Sequence, residues 1–317
     1  MKIGLIDVDN HNKKTVKFPN LALMKISAYH KSIGDHVEWW WSDFEHYDKV
    51  YMSKVFSDTY TKPMDEPMNA DVVEKGGTGY CISTVNGKEI FDESKNNNLP
   101  DYIEHIYPDY SIYGITDTAY GFMSRGCPRG CSFCHVKSKE GLCSIKVADL
   151  SEFWNGQKYI QLCDPNTLAC KDWKDILQQL IDSRAYVDFN QGVDIRLMTE
   201  EKAELIRKIK LKNIHFAWDN PKDRLEDKFK TFAKYSGKSA TSHGHNGTVF
   251  CLTNFNSTME ENLYRVYTLR DMGYKPYIMI YDKPSAPKEL RMLQRWVNNP
   301  IIFYKCKTFE EYDRTKG

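Results

Sequence analysis

Three cysteines, Cys127, Cys131 and Cys134, fall within eight residues in the stretch FMSRGCPRGCSFCHV at 122–136. Thiolates set this closely on one loop point to a metal site, a disulfide knot or a loop with unrelated thiols. The chain has nine cysteines, an odd number at uneven spacings. It begins MKIGLIDVD, which predicts a strand and not a signal peptide. We therefore expect a cytoplasmic protein, in which a disulfide framework would be unusual.

The spacing within the loop favours one kind of metal site. Zinc sites usually pair a CxxC with a second pair or with histidines, and this sequence contains no second CxxC. Three thiolates on one loop suit a cubane iron–sulfur cluster, because the loop can hold three corners and leave the fourth iron open to a non-protein ligand. Gly126 and Gly130 permit the unusual dihedrals that such wrapping needs, and Pro128 stiffens the loop. The alternative is a set of structural cysteines without metal.

The segment CPRGCSFC resembles the signature of the radical S-adenosylmethionine (radical SAM) superfamily, CxxxCxφC, in which φ is aromatic and is Phe133 here. The longer segment SRGCPRGCSFC is similar to branches with an N-terminal cobalamin-binding-type domain and to the methylthiotransferases. The resemblance covers residues 108–300 well and the first hundred residues or so more loosely.

The resemblance implies a specific chemistry. Cys127, Cys131 and Cys134 would hold a 4Fe–4S cluster, and the amino and carboxylate groups of SAM would chelate the fourth iron. Phe133 would lie near the adenine of SAM. One electron, supplied by a partner of the flavodoxin or ferredoxin type, would cleave SAM to methionine and a 5′-deoxyadenosyl radical that abstracts hydrogen from an unknown substrate. The protein would then be an enzyme whose reaction beyond SAM cleavage is unknown.

An alternation of strands and helices must position this loop. In the first domain, strand patterns at 2–8 and 36–41 flank a helical pattern that Asn20 would cap, which predicts a strand–helix–strand unit in a parallel sheet. From residue 108 onward, apolar strand patterns alternate with helical ones about six times, beginning with TAYGFM at 118–123. Thr199 and the capping box Thr258-x-x-Glu261 are predicted to begin two of these helices. Six βα units are too few for a closed eight-stranded barrel and suit a partial barrel or an open doubly wound sheet. With the resemblance, the predicted fold is α/β: a partial (βα)6 TIM-like barrel with a C-terminal extension over 108–317, after a Rossmann- or flavodoxin-like α/β domain over 1–107.

Polar residues follow several of these strands, where the functional loops of such folds lie. We predict that they bind SAM or substrate, with capped surface turns as the alternative. They comprise Asp164 and Asn166 after the second strand, Gln191, Asp194 and Arg196 after the third, and Asn254 after the fifth. Members of the resembled family often carry a GGE-like turn after the second strand, and this sequence has Cys163-Asp164-Pro165-Asn166 instead.

The first domain bears on a second cofactor. Asp9 and His11 match two positions of DxHxxG, the cobalamin-ligating motif of the resembled branches, but its glycine is missing here. We expect a polar loop over the strand ends, with cobalamin possible but not favoured. The alternative function is a cobalamin-dependent radical SAM methyltransferase. An alternative of another class is a non-catalytic iron–sulfur or zinc protein with a binding or sensing role.

Composition limits the partners. The formal net charge is +1, which argues against nucleic-acid binding through bulk electrostatics. No apolar run approaches the roughly 20 residues that a membrane-spanning helix needs. The sequence leaves open whether Cys143, Cys163 and Cys170 hold an auxiliary cluster or are small buried residues. For the pair His243 and His245, which has no third ligand nearby, a loop is the better interpretation.

Overall fold

The computed structural model describes residues 1–11, 13, 16, 18–85, 88–236 and 245–313, so His243 lies outside the described residues. The chain divides into two compact units. The first contains residues 1–121, 126–143 and 148–157, and the second contains residues 122–125, 144–147 and 158–317. The predicted boundary near residue 108 stays a prediction.

The first unit contains a four-stranded parallel sheet and several short elements. Its strands and helices are β1 (Lys2–Asp7), α1 (Leu21–Ser32), β2 (His36–Trp39), β3 (Tyr47–Ser53), β4 (Ala70–Gly76), α2 (Thr78–Cys81), β5 (Ile82–Val85), β6 (Lys88–Phe91), α3 (Asp101–Glu104), β7 (Thr118–Gly121) and α4 (Val136–Glu140). The sheet order is β2-β1-β3-β4, and each neighbouring pair is parallel. The predicted strand–helix–strand unit is thereby confirmed.

Helix α1 begins where the sequence indicates. The Asn20 side chain accepts a hydrogen bond from the Leu23 backbone N–H at 3.2 Å, which satisfies one of the unpaired donors of the first turn. Leu23 and Ile26 face the sheet and pack with Ile3 and Leu5 of β1. On its other face the sheet buries Ile6, Val8, Tyr47, Val50 and Met52. A parallel sheet covered on both faces explains the nearly continuous apolar run of β1.

The double glycine after β4 brings two backbone segments together. Gly77 has φ +99°, and a Cβ placed on it would lie 2.4 Å from the Lys54 carbonyl oxygen. The Lys54 N–H donates to the Gly76 carbonyl at 3.0 Å, so the chain after β3 and the chain after β4 touch directly. Only glycine fits this approach, because a Cβ on Gly77 would collide with the Lys54 carbonyl oxygen.

The second unit contains five parallel strands with helices between them. Its elements are β8 (Ser124–Arg125), β9 (Ile145–Lys146), β10 (Tyr159–Leu162), α5 (Trp173–Ser183), β11 (Tyr186–Phe189), α6 (Glu200–Lys208), β12 (Lys210–Ala217), α7 (Glu226–Ser236), β13 (Thr248–Thr253), α8 (Met259–Asp271), β14 (Lys275–Ile280), α9 (Lys288–Asn298) and α10 (Pro300–Lys305). Strands β10 to β14 are neighbours in chain order, each parallel to the next. Short strands β8 and β9 form a separate antiparallel pair.

Helix ends in this unit carry the predicted caps. The Thr199 hydroxyl accepts from the Lys202 N–H at 3.3 Å and begins α6. Thr258 and Glu261 form the predicted capping box of α8, and Gly273, with φ +77°, follows its end. These parallel sheets establish an α/β fold, whereas the partial barrel stays a prediction. Among the described residues, no helix is both long and apolar enough to cross a membrane.

Candidate metal centre

The cysteine loop is a largely irregular segment, and a backbone hydrogen bond joins its beginning to its end. The Cys127 N–H donates to the Gly141 carbonyl at 3.2 Å, and the Cys134 N–H donates to the Cys131 carbonyl at 3.1 Å. All three motif cysteines are partly exposed, and none of the nine cysteines, all of them described, forms a disulfide. The loop belongs to the first unit, while the residues on either side of it, 122–125 and 144–147, belong to the second.

Two glycines shape the loop as the sequence predicts. Gly126 has φ +85°, and a Cβ on it would lie 2.0 Å from the Cys143 carbonyl oxygen, so no other residue fits there without moving the backbone. Its N–H donates to the Glu140 carboxylate at 3.2 Å. Gly130 has φ +57°, and its carbonyl accepts from the Lys137 ammonium at 3.4 Å.

The carboxylate of Glu89 on β6 contacts the residue that follows the last cysteine of the motif. The Glu89 carboxylate accepts from the Ser57 hydroxyl and lies 3.4 Å from His135 Nε2. His135 directly follows Cys134 and occupies the N-cap position of the short helix α4, which ends just before Gly141. The loop is therefore held at both ends by residues of its own unit.

The donor set suits an iron–sulfur cluster. Thiolates are the ligands that such clusters take, and a loop that holds three corners of a cubane leaves its fourth iron open. Three thiols on a glycine-shaped loop therefore suit the predicted cluster.

Asp164 is buried and organises the chain just before the loop. Its carboxylate accepts from the backbone N–H groups of Met123 (2.7 Å) and Ser124 (2.8 Å), from the Ser124 hydroxyl (2.6 Å), and from the Thr167 hydroxyl (3.3 Å). Burial raises the pKa of Asp164 from 3.8 to about 6, although these four donors oppose the rise. The carboxylate of Asp164, which the sequence predicts to bind SAM or substrate, therefore accepts four hydrogen bonds within the protein.

Asn166 lies beside Asp164 and is likewise buried. Its backbone carbonyl accepts from the Ser144 hydroxyl at 3.0 Å. Cys163 and Cys170, considered for an auxiliary cluster, are buried, and their thiols point to the Gln161 carbonyl (3.6 Å) and the Asp172 carboxylate (3.9 Å). Burial raises the pKa of the Cys170 thiol, which disfavours the thiolate that a cluster requires.

The polar residues after β11 form an ionic group. Asp194 Oδ1 accepts from the backbone N–H (3.1 Å) and Nε (2.7 Å) of Arg196, and the Arg196 guanidinium lies 3.8 Å from Asp223. The Arg196 side chain is 37% exposed, so one side of it is open to solvent or ligand. Gln191 is exposed at the start of the same turn.

Asn254 follows β13 in a left-handed conformation with φ +60°. Its amide donates to the Tyr281 carbonyl at 2.9 Å and reaches the Asp282 carbonyl and the Ser285 hydroxyl at 3.5 and 3.4 Å. Asn254 therefore links the chain after β13 to the chain after β14. The structure places Asp164, Gln191, Asp194 and Asn254 at the carboxyl ends of strands in the second unit, as predicted.

The sequence analysis missed a buried arginine beneath these strand ends. Arg265 of α8 is 0% exposed and donates to the backbone carbonyls of Trp218, Asp219 (3.1 Å) and Leu252 (3.0 Å), and to the Asn262 side chain. Burial lowers the pKa of Arg265 and raises that of the Asp219 carboxyl. An arginine within an amphipathic helix pattern is typically a surface residue, so nothing in the local sequence signals this role.

The strand ends of the first unit also carry polar residues. Asp9 belongs to the partial cobalamin motif of the sequence. Its carboxylate accepts hydrogen bonds from the backbone N–H groups of Val55 (2.5 Å) and Phe56 (3.3 Å) and from the Thr61 hydroxyl (2.6 Å). Its carboxylate thereby fixes the loop after β3. The ring of His11 lies 6.3 Å from that of Trp40, between centroids.

A cavity of about 260 Å³ lies within the first unit. Helix α1 contributes Ala22 and Ile26, the ends of β3 and β4 contribute Ser53 and Gly76, and the segment 97–103 closes another side. Carboxyl ends of parallel strands are where ligands of open α/β sheets bind. Its volume is close to the lower end of small-molecule pockets, about 300–1,000 Å³.

No family model matches the sequence, and no curated protein matches it. In structure, the chain is similar to the radical S-adenosylmethionine methyltransferase TsrM from Kitasatospora setae, solved with cobalamin and a [4Fe-4S] cluster bound. The TM-score is 0.60, the sequence identity is 10%, and the match covers 88% of this chain and 74% of that one. The two proteins therefore share a fold.

Proposed function

We propose that this protein is a radical SAM enzyme whose cluster is held by Cys127, Cys131 and Cys134. The observation that carries the proposal is the cysteine loop, with its signature spacing and with Gly126 packed against the Cys143 carbonyl. The fold shared with TsrM supports it. A 4Fe–4S cluster with SAM on its open iron would supply reductive cleavage of SAM to a 5′-deoxyadenosyl radical.

The residues of the chain would hold and shield these groups. Within the loop, the closing hydrogen bonds from Cys127 and Cys134 fix the backbone that presents the thiolates. We assign Asp164 a positioning role, because its carboxylate holds the backbone of Met123 and Ser124 just before the loop. The proposed architecture of the second domain is a partial (βα)6 barrel.

SAM and substrate contacts are proposed for the remaining strand-end residues. Arg196 is the strongest of these, since it is a partly exposed cation fixed by a buried carboxylate. The other strand-end residues are Asn166, Gln191, Asp194 and Asn254, and Phe133 of the cysteine loop is proposed as a further SAM contact. A cytoplasmic location and an electron donor of the flavodoxin or ferredoxin type belong to the same proposal.

The test is SAM cleavage by the full chain. The protein is reconstituted anaerobically with iron and sulfide, reduced and supplied with SAM, and 5′-deoxyadenosine is measured by mass spectrometry. Wild type and the control Cys306→Ala, whose cysteine lies outside the motif, should form it, whereas Cys127→Ala should not. Bound metal without SAM cleavage would favour the non-catalytic iron–sulfur or zinc protein instead.

Cobalamin dependence is the second candidate. The protein TsrM carries cobalamin on a similar fold, so the sequence-based preference against cobalamin gains no support. The specific observation in its favour is the cavity at the strand ends of the first unit. At about 260 Å³ this cavity would accommodate only part of so large a cofactor.

A further inference from the structure

Three side chains of the first unit gather at the beginning of two neighbouring strands. His46, Asp48 and Asp71 each offer one ligand atom, and these atoms all lie within 4.8 Å of one another. His46 Nε2 and Asp71 Oδ2 are 3.2 Å apart. The group lies at the amino-terminal edge of the sheet, whereas the cavity lies at the carboxyl-terminal edge.

The sheet itself fixes two of the three positions. Strands β3 and β4 are parallel, with Tyr47 opposite Ala70 and Lys49 opposite Val72. Asp48 and Asp71 fall between these two pairs and so are opposite each other on the same face. His46 immediately precedes β3, which brings its ring beside them.

The separation between His46 and Asp71 is compatible with the ligand shell of a small divalent cation as well as with an ion pair. Zinc–nitrogen and zinc–oxygen bonds of about 2.0–2.2 Å in tetrahedral geometry place neighbouring ligand atoms about 3.3 Å apart. The 3.2 Å between His46 and Asp71 agrees with that value. One imidazole with two carboxylates is a donor set that suits Zn²⁺ and Mn²⁺.

Charge and access also favour a cation. The carboxylates of Asp48 and Asp71 lie beside the single imidazole of His46. Asp48 also accepts a hydrogen bond from the Lys2 backbone N–H at 2.6 Å. The side chains of His46 and Asp71 are 64% and 62% exposed, so an ion can enter from solvent and keep water ligands. We propose that His46, Asp48 and Asp71 form a divalent-cation site that links the beginning of β3, and the residue before it, to the beginning of β4.

Mn²⁺ is the probe, because it prefers carboxylate and imidazole ligands to the thiolates of the cysteine loop. The full-length protein is titrated with Mn²⁺, and the electron paramagnetic resonance signal of the free ion reports binding. We expect about one bound Mn²⁺ per wild-type chain, and at least about tenfold weaker binding in His46→Ala and Asp71→Asn.

His36→Ala is the matched control. His36 is also exposed, and its Nε2 lies 3.2 Å from a carboxylate oxygen of Glu38. Among the described residues, however, His36 does not belong to a group of three close ligand side chains. This variant should bind Mn²⁺ like wild type. Mn²⁺ should also raise the unfolding temperature of wild type and of His36→Ala, but not that of His46→Ala. Absence of saturable binding to wild type, or equal binding by wild type and His46→Ala, would overturn the proposal.

Discussion

The buried carboxylate of Asp164 accepts hydrogen bonds from both the backbone N–H and the hydroxyl of Ser124, at 2.8 and 2.6 Å. Ser124 lies three residues before Cys127 in the sequence. A single side chain after β10 therefore fixes the backbone that leads into the cysteine loop. The contact can therefore be tested in two ways, through the free energy of unfolding of the protein and through assembly of the proposed cluster.

Replacement of Asp164 by asparagine should change how stability depends on pH. The pKa of Asp164 is about 6 in the folded protein, above its ordinary value of 3.8, so folding favours the protonated form. This contribution to the free energy of unfolding is present below pH 3.8 and is lost as the pH rises through about 6. The loss amounts to about 3 kcal/mol, at 1.36 kcal/mol for each pKa unit.

The measurement is the free energy of unfolding of wild type and of Asp164→Asn at pH 4 and pH 6. Between these two pH values the difference should shift by about 2 kcal/mol in favour of the variant, because the rest of the change falls below pH 4 and above pH 6. The control is Asp182→Asn, which alters an exposed carboxylate on α5 and should show no such shift. A constant difference between wild type and Asp164→Asn would contradict the assignment.

Gly126→Ala should prevent assembly of the proposed cluster. The new Cβ would lie 2.0 Å from the Cys143 carbonyl oxygen, so the loop would have to move. The matched control is Gly156→Ala, which has almost the same φ, +86°, but no atom within 4 Å of its Cβ position. Both variants carry the strain of an alanine at positive φ, about 1–3 kcal/mol, and only the first adds a collision.

Iron and sulfide content after anaerobic reconstitution distinguishes the two glycine variants. We expect Gly156→Ala to bind nearly as much iron as wild type and Gly126→Ala to bind much less. Equal iron in both variants would show that the contact between Gly126 and Cys143 does not shape the metal site.

Arg265→Met should strongly destabilise the second unit. The substitution leaves the carbonyls of Trp218, Asp219 and Leu252 without their buried donor, for an expected loss of about 3–5 kcal/mol in denaturant unfolding. Arg265→Lys keeps the charge but not the planar fork, so its loss should be intermediate.

Arg270→Met on the same helix is the control for Arg265. The Arg270 guanidinium lies over the Tyr267 ring at 5.0 Å and its side chain is partly exposed, so we expect a loss below about 1 kcal/mol. Similar losses for Arg265→Met and Arg270→Met would contradict the proposed clamp on the strand ends.

Ala22→Phe should block cobalamin if the cavity of the first unit binds it. Ala22 lines this cavity, and a phenyl ring there would fill much of its volume. Ala28, on the same helix and outside the cavity lining, provides the control Ala28→Phe. Cobalt retained after gel filtration should fall in Ala22→Phe while iron content stays unchanged. Cobalamin retention equal in both variants would place that cofactor elsewhere.

The sequence predicted the long elements well because their signals are local. Asn20, Thr199 and the pair Thr258–Glu261 are side-chain caps that act within one helical turn, and each begins the predicted helix. Apolar runs such as that of β1 likewise correspond to strands buried on both faces. Gly126 and Gly130 have the positive φ values that the loop was predicted to need.

Roles that depend on distant partners were harder to predict. Nothing in the local sequence shows that Asp164 meets Ser124, or that Arg265 lies beneath carbonyls 46 or 47 residues away. The antiparallel pair β5 and β6 was also missed, although Asn86-Gly87, between its strands in the sequence, is a strong hairpin signal. Long-range contacts therefore show that a residue such as Asp164, which the sequence suggests as a ligand, holds distant backbone in place.

The electron paramagnetic resonance spectrum of the reduced, reconstituted protein, with and without SAM, tests the proposed radical SAM function directly. We expect a reduced 4Fe–4S signal that changes when SAM is added, because SAM would bind the iron that Cys127, Cys131 and Cys134 leave open. Cys306→Ala should behave in the same way, and Cys127→Ala should lose the signal. A wild-type cluster signal that SAM leaves unchanged, or a protein that binds zinc and shows no cluster signal, would rule out this function.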